Sequence, residues 1–155
     1  MELDEVRLRT IYDQQRAHGC FLEWPEWNEK VKKAYFELVK AARNKTEIQY
    51  GELGRLIGIP TFPDYEWFHL KIAWILGACS EYELEDGHPI LSSIAVSKDT
   101  MRPSKGYWGF STMPSYLLEL NWESAHKEPP KSIQDQRESF WIAEVKSLYQ
   151  YWEKN

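Results

Sequence analysis

Apolar positions three and four residues apart recur through most of this chain, and they predict helices wherever the pattern lasts more than two turns. Residues 3–18 read as a charged first helix that turns Leu3, Val6 and Thr10 inward and stops at Gly19. Pro25 suits the first turn of a second helix running to residue 43, with Val31, Ala34, Tyr35, Leu38 and Ala42 on its inner face. On its outer face Glu29, Lys33 and Glu37 alternate in charge at four-residue spacing and read as solvated. A β-prone run, Thr46, Ile48 and Tyr50, then feeds a small helix over 50–57 that carries Leu53, Leu56 and Ile57 on one side. Gly58 and Pro60 end it. Asp64 caps a long helix reaching residue 85. One stripe of this helix is Phe68, Ile72, Ile75, Cys79 and Tyr82; a second, roughly opposite, is Leu70, Ala73 and Gly77. Two apolar stripes place it between neighbours, as the central helix of the domain.

Beyond it the pattern changes. Asp86-Gly87-His88-Pro89 is a turn, residues 90–96 read as a strand, and residues 107–110 as its partner across the loop 97–106. Pro114 opens a short helix to residue 120, and residues 121–131, with Trp122 and Pro129-Pro130, form a surface connection. The last helix, 132–153, buries Trp141, Val145, Leu148 and Trp152, leaving Phe140 and Tyr151 off its stripe. The expected fold is a single domain over 1–155, mainly α with a small β hairpin. A winged helix-turn-helix-like core over 46–120 is flanked by N-terminal helices (1–45) and a C-terminal helix (132–155).

Composition narrows the chemistry. A net charge of −5 denies the chain an overall basic footprint, so any grip on nucleic acid must come from a local patch. Eight Trp and nine Tyr fit an aromatic core first, and anchors of an interface or stacking platform second. Cys20 and Cys79 lie far apart without metal-ligand spacing, Cys79 reading as a buried free thiol. The acidic opening, Met1-Glu-Leu-Asp-Glu5, is unlike a secretory signal, and the apolar run 72–79 is too short to cross a bilayer. The expected location is a reducing cytoplasm, with no membrane partner. His18, His69 and His126 show no paired ligand spacing, and no metal or cofactor is expected.

The middle of the chain resembles the DNA-binding domain of alkylguanine-DNA alkyltransferases and alkyltransferase-like proteins, over residues 46–120. Gln49-Tyr50-Gly51 and Ile57-Gly58 stand where that family has a strand ending in Tyr-Gly and a helix ending in Ile-Gly or Leu-Gly. Ala73-Trp-Ile-Leu-Gly77 stands at its Ala-Arg-Ala-Val-Gly recognition helix, and Ser92–Val96 at the strand after its reactive motif. Gly106-Tyr107-Trp108-Gly109 resembles its Gly-Tyr-x-Gly wing. The reactive Pro-Cys-His-Arg is replaced by His88-Pro-Ile-Leu-Ser-Ser93, which excludes alkyl transfer to cysteine, and the intercalating arginine is Trp74. Of the family's DNA-handling residues only Tyr50 matches. The Ile-Leu-Gly-Ala, Ser-x-Tyr-Glu and Pro-x-Leu-Ser pattern is also similar to small bacterial proteins, a likeness that supplies no activity.

Three readings follow. The resemblance implies a non-enzymatic winged-helix protein that holds DNA or RNA through Tyr50, Trp74, Lys98, Arg102 and Lys105, with Arg43, Lys45 and Arg55 adding backbone contacts. A second reading is a protein-interaction or adaptor domain using the aromatic face Trp67, Lys71 and Trp74, with Phe140 and Tyr151 extending it or forming a homodimer seam. A third is a small hydrolytic enzyme centred on Glu81, Glu85, His88 and Ser92, since carboxylates with a nearby His and Ser suit acid–base or nucleophilic work. No His-Glu-x-x-His, Gly-x-Ser-x-Gly or phosphate-loop motif supports the third.

Overall fold

The computed structural model describes residues 2–110, 113–118 and 128–155. Asp4 caps α1 (Glu5–Ala17), its carboxylate accepting from the Val6 and Arg7 amides at 2.8 and 3.1 Å. The inward residues of α1 are Leu8, Ile11 and Tyr12, whereas Val6, expected inside, is 77% exposed and Thr10 bonds back to the Val6 carbonyl. With the cap at Asp4, the 3.6-residue period fixes which side Leu8 faces, and Val6 falls on the other.

The second helix, α2 (Trp24–Arg43), opens with Pro25 in its first turn and buries Val31, Ala34, Tyr35 and Leu38 as the periodicity predicts. Tyr12 meets both Trp24 and Trp27 edge-on at 5.2 Å, locking α1 to the start of α2. A two-residue strand, β1 (Ile48–Gln49), leads into α3 (Tyr50–Ile57). Gly58 ends α3 in the left-handed region at φ +85°, so the Ile59 amide closes onto the Gly54 carbonyl at 2.7 Å. Gly54 is where α3 crosses the next helix: a Cβ there would run into the Phe68 ring and lie 2.8 Å from the Ile59 carbonyl.

That helix, α4 (Tyr65–Leu84), is capped by Asp64 on the Trp67 amide at 3.0 Å and packs against α1, α2 and α3. Phe68, Ile72, Ile75 and Cys79 are buried as the first stripe requires. The second stripe divides: Gln15 of α1 covers Gly77, while Leu70 is 52% exposed and Ala73 faces solvent.

The expected β hairpin does not form among the described residues. Residues 91–94 wind as a 3-10 turn, and only β2 (Ala95–Val96) is extended. β2 pairs in parallel with β1, Ile48 opposite Ala95 and Gln49 opposite Val96. Residues 105–109, expected to hold the start of the second strand, form another 3-10 turn. Residues 90–96 are buried without alternation, and side chains hold the turn that precedes β2: the Ser92 amide donates to Ser80 Oγ at 2.9 Å, and Ser93 Oγ and the Tyr107 hydroxyl lie 2.7 Å apart. The short helix expected over 114–120 is a 3-10 turn at Ser115–Leu117; its end, and most of the expected connection 121–131 with Trp122 and His126, lie outside the described residues.

Finally, α5 (Lys131–Lys154) spans both hydrophobic clusters of the protein. Its Leu148 and Trp152 join the larger core with α1–α4, and its Trp141 joins a smaller one with Ile90, Val96, Tyr107, Trp108, Phe110, Met113 and Leu117. The fold is mainly helical with a tiny parallel sheet, and among the described residues no helix is long and apolar enough to cross a membrane.

Candidate functional site

The residues expected to hold nucleic acid do not share one open face. Tyr50 is 8% exposed; its hydroxyl accepts from the Ser104 amide at 2.7 Å and donates to Ser104 Oγ at 3.3 Å, so it anchors the 97–105 loop from beneath. Burial raises its pKa, as expected for a phenol committed to structure. Arg102 grips Glu138 of α5 through two hydrogen bonds, Nε at 2.5 Å and NH2 at 3.0 Å. Trp74 is partly buried against the core beside α1, its carbonyl accepting from Gln15 Nε2 at 3.0 Å. Lys98 and Lys105 are exposed and form no ion pair among the described residues. The supporting cations are also engaged: Arg43 donates to the Asn155 carbonyl at 2.8 Å, Lys45 pairs with Glu153 at 3.3 Å, and Arg55 with Glu52 at 2.6 Å. A cleft of about 460 Å³ beside Arg102 is lined by Trp108, Glu138 and Trp141, and the Arg102–Glu138 pair forms part of its wall.

The acid–His group assembles around Glu83 rather than around the expected centre of Glu81 and Glu85. Glu83, 4% exposed, receives the Tyr35 hydroxyl on one oxygen and stands 2.6 Å from His88 Nδ1 with the other. His88 Nε2 lies 3.3 Å from the Tyr151 hydroxyl of α5. The desolvated Tyr35 phenol, held against a carboxylate, is pushed well above its usual pKa. Glu85 faces Arg7 at 3.5 Å, and Glu81 is partly buried, which raises its pKa. Ser92 is 6% exposed, its amide donating to Ser80 Oγ. The result is a polar clasp joining α2, the end of α4 and α5, with His88 oriented by a carboxylate and closed over by a phenol. Tyr151, expected on a homodimer seam, is part of it, and Phe140 packs at 6.1 Å from Trp108. Among the described residues, no three His, Cys, Asp or Glu side chains converge as metal ligands would. Glu83 was legible in principle: it continues the Ile72–Ile75–Cys79 stripe by one further turn.

The aromatic face expected on α4 is half engaged. Trp67 stacks on Phe21 with centroids 4.3 Å apart and keeps 46% exposure. Lys71 lies under that edge, paired with Glu26 at 2.8 Å and 5.6 Å from the Trp67 ring. The neighbouring face is open. Phe62 is 82% exposed, Tyr65 59% and Leu70 52%; they lie in the α3–α4 turn and the first two turns of α4. Tyr65 meets His69 edge-on at 4.3 Å and lies over Phe68 at 6.1 Å, so its ring is held by the helix while its outer surface stays wet. Isolated exposed apolar residues are ordinary; large ones gathered at one corner mark a surface that another molecule covers. The sequence showed Leu70 and Ala73 as apolar; what it did not show is that the cover from α1 ends at Trp74, whose carbonyl Gln15 meets. Comparisons with protein-family models, with curated proteins and with solved structures return no match.

Proposed function

We propose that this domain is a protein-interaction module that docks a partner on the α3–α4 corner, through Phe62, Tyr65, Leu70 and the outer edge of Trp67. The observation carrying this reading is the exposure of these four large side chains in one short stretch, from the turn before α4 into its second turn. Trp67 belongs to the expected partner face, together with Lys71 and Trp74; the centre of that face shifts by one helix strip toward Tyr65. Such a corner suits binding because aromatic anchors on a rigid support lose little conformational freedom on association.

A photoreactive phenylalanine analogue at position 62, compared with one at the exposed Ile142 of α5, tests it. The expected result is one discrete adduct from position 62, lost when Leu70→Lys is added and absent from position 142. Equal labelling from both positions, or none from either, sinks the reading.

Nucleic-acid binding by a winged helix-turn-helix is the second reading. It draws support from the α3–turn–α4 order and from exposed Lys98 and Lys105. Two free cations would give a log–log salt slope of only about −2, so affinity would fall roughly tenfold between 50 and 200 mM salt. A steeper gel-shift response, abolished by Lys98→Glu with Lys105→Glu, would favour it over the docking corner.

A further inference from the structure

Two histidines hold their Nδ1 against an oxygen, and the two oxygens differ in charge. His18 is exposed, with Nδ1 2.8 Å from the Gln14 carbonyl. His88 is less exposed, with Nδ1 2.6 Å from the Glu83 carboxylate, itself 4% exposed. Carbonyl and carboxylate oxygens only accept, so each fixes the same tautomer, with the proton on Nδ1 and the lone pair on Nε2. A desolvated carboxylate on Nδ1–H pushes electron density toward Nε2 and makes it more basic and more nucleophilic; a carbonyl does so weakly. Tyr35 secures the arrangement. Its phenol, pushed well above its usual pKa by burial and by Glu83, keeps its proton and donates it to the other carboxylate oxygen.

Tyr151 completes the group. Its ring stacks on His88 with centroids 4.4 Å apart and planes 32° from parallel, so it covers a face of the imidazole. The Nε2 lone pair lies in the ring plane, away from that face. The Tyr151 hydroxyl, 3.3 Å from Nε2, stands beside any group bonded there and can donate to a carbonyl oxygen. Trp152, edge-on at 5.0 Å, holds the Tyr151 ring. Burial, then the charges of Glu83 and Asp86, raise the Tyr151 pKa, so this donor keeps its proton. The same negative charges oppose a phosphorylated donor, which leaves a neutral acyl compound as the matching electrophile.

We propose that His88 is a nucleophile that accepts an acyl group at Nε2 from a small, neutral, activated ester, with Glu83 positioning it and Tyr151 donating to the acyl oxygen. Nε2 bonds to the carbonyl carbon, the ester C–O bond breaks, and the phenoxide or alkoxide leaves. The Nδ1 proton moves to Glu83, which neutralises the acyl-imidazole. Water then cleaves the C–N bond. Its hydroxyl completes the carboxylic acid, its remaining proton reaches the displaced oxygen through solvent, and Glu83 returns its proton to Nδ1. This group sits at the opposite end of α4 from the docking corner, and its chemistry is independent of that reading.

The test uses the whole chain and two neutral acyl donors. With limiting diethyl pyrocarbonate, mass mapping should find His88 modified roughly tenfold faster than the more exposed His18. Accessibility alone predicts the reverse order. p-Nitrophenyl acetate should be hydrolysed through an acetyl adduct mapped to His88 in acid-quenched protein, and His88→Gln should abolish that hydrolysis. In Glu83→Gln the amide can donate to Nδ1, which moves the ring proton to Nε2 and removes the lone pair. Labelling of His88 should then fall to the rate of His18 or below, with His18 itself unchanged as the gauge of folding. Tyr151→Phe keeps the stacked ring and loses the donor, so ester hydrolysis should slow several-fold. Labelling of His88 no faster than His18 overturns the proposal, as does hydrolysis that survives His88→Gln. Unchanged rates in Glu83→Gln and Tyr151→Phe overturn the roles given to those side chains. Acetyl phosphate accelerated over free imidazole as strongly as the ester overturns the neutral donor.

Discussion

The covered and open ends of α4 differ in what happens to similar side chains. At the C-terminal end the Tyr82 hydroxyl accepts from the Asp4 amide at 2.9 Å, and its ring lies under Arg7 and edge-on to Tyr35. At the N-terminal end Tyr65 keeps more than half of its surface in solvent. Both ends are held to the core by the same apolar stripe, so the contrast is one of cover and not of order. A helix end can thus be rigid, aromatic and acidic whether or not its complement is supplied by the same chain. Rigidity without cover is what a docking surface needs.

Changes at the two ends sharpen this contrast. The largest effect is expected at Phe68, which is 1% exposed and fixes the open end by filling the space beside Gly54. Phe68→Ala should cost about 3–5 kcal/mol in urea denaturation and release Tyr65 with it. A cost under about 1 kcal/mol would mean that α3 does not hold the corner. Next comes the covered end. Glu83→Ala strands the buried Tyr35 hydroxyl and frees His88 from its carboxylate, so a loss of about 2–4 kcal/mol is expected by the same measurement. Near-neutral behaviour would show that the clasp between α2, α4 and α5 is dispensable.

The smallest effect concerns pH. Hydrogen bonds from Arg7 hold the Asp86 carboxyl below its usual pKa, so its folded value lies beneath the unfolded one. The stabilisation is therefore fully present above the ordinary aspartate range, near pH 4, and disappears as pH falls through the folded value. The denaturation midpoints of the protein and its Asp86→Asn variant should differ slightly at pH 6 and converge once the pH falls below the lowered folded value. A gap that persists at low pH would assign Asp86 a role unrelated to its charge.

Much of the helical framework was legible. The spacing of Phe68, Ile72, Ile75 and Cys79 locates α4, and that of Trp141, Val145, Leu148 and Trp152 locates α5, because each pattern lasts long enough to separate a 3.6-residue period from a 2-residue one. Residues 90–96 were not legible as a turn. An apolar run buried all round carries no periodicity, and the contacts that bend it come from Ser80, Tyr107 and Trp141, which lie at distant points in the sequence. Distance along the chain hides the site in the same way. Glu138, 36 residues from Arg102, turns an apparent surface cation into half of an ion pair, and Tyr35, 48 residues from Glu83, completes a cluster that local spacing assigns to Glu81 and Glu85.

The placement of α5 across two hydrophobic clusters carries a consequence of its own. Val145 packs against both, with Trp141 on one side of it and Leu148 on the other. Any loosening of residues 105–110 meets α5 first at Phe140 and Trp141, which pack with them, well before Leu148. A single unbroken helix is thereby the common wall of both clusters.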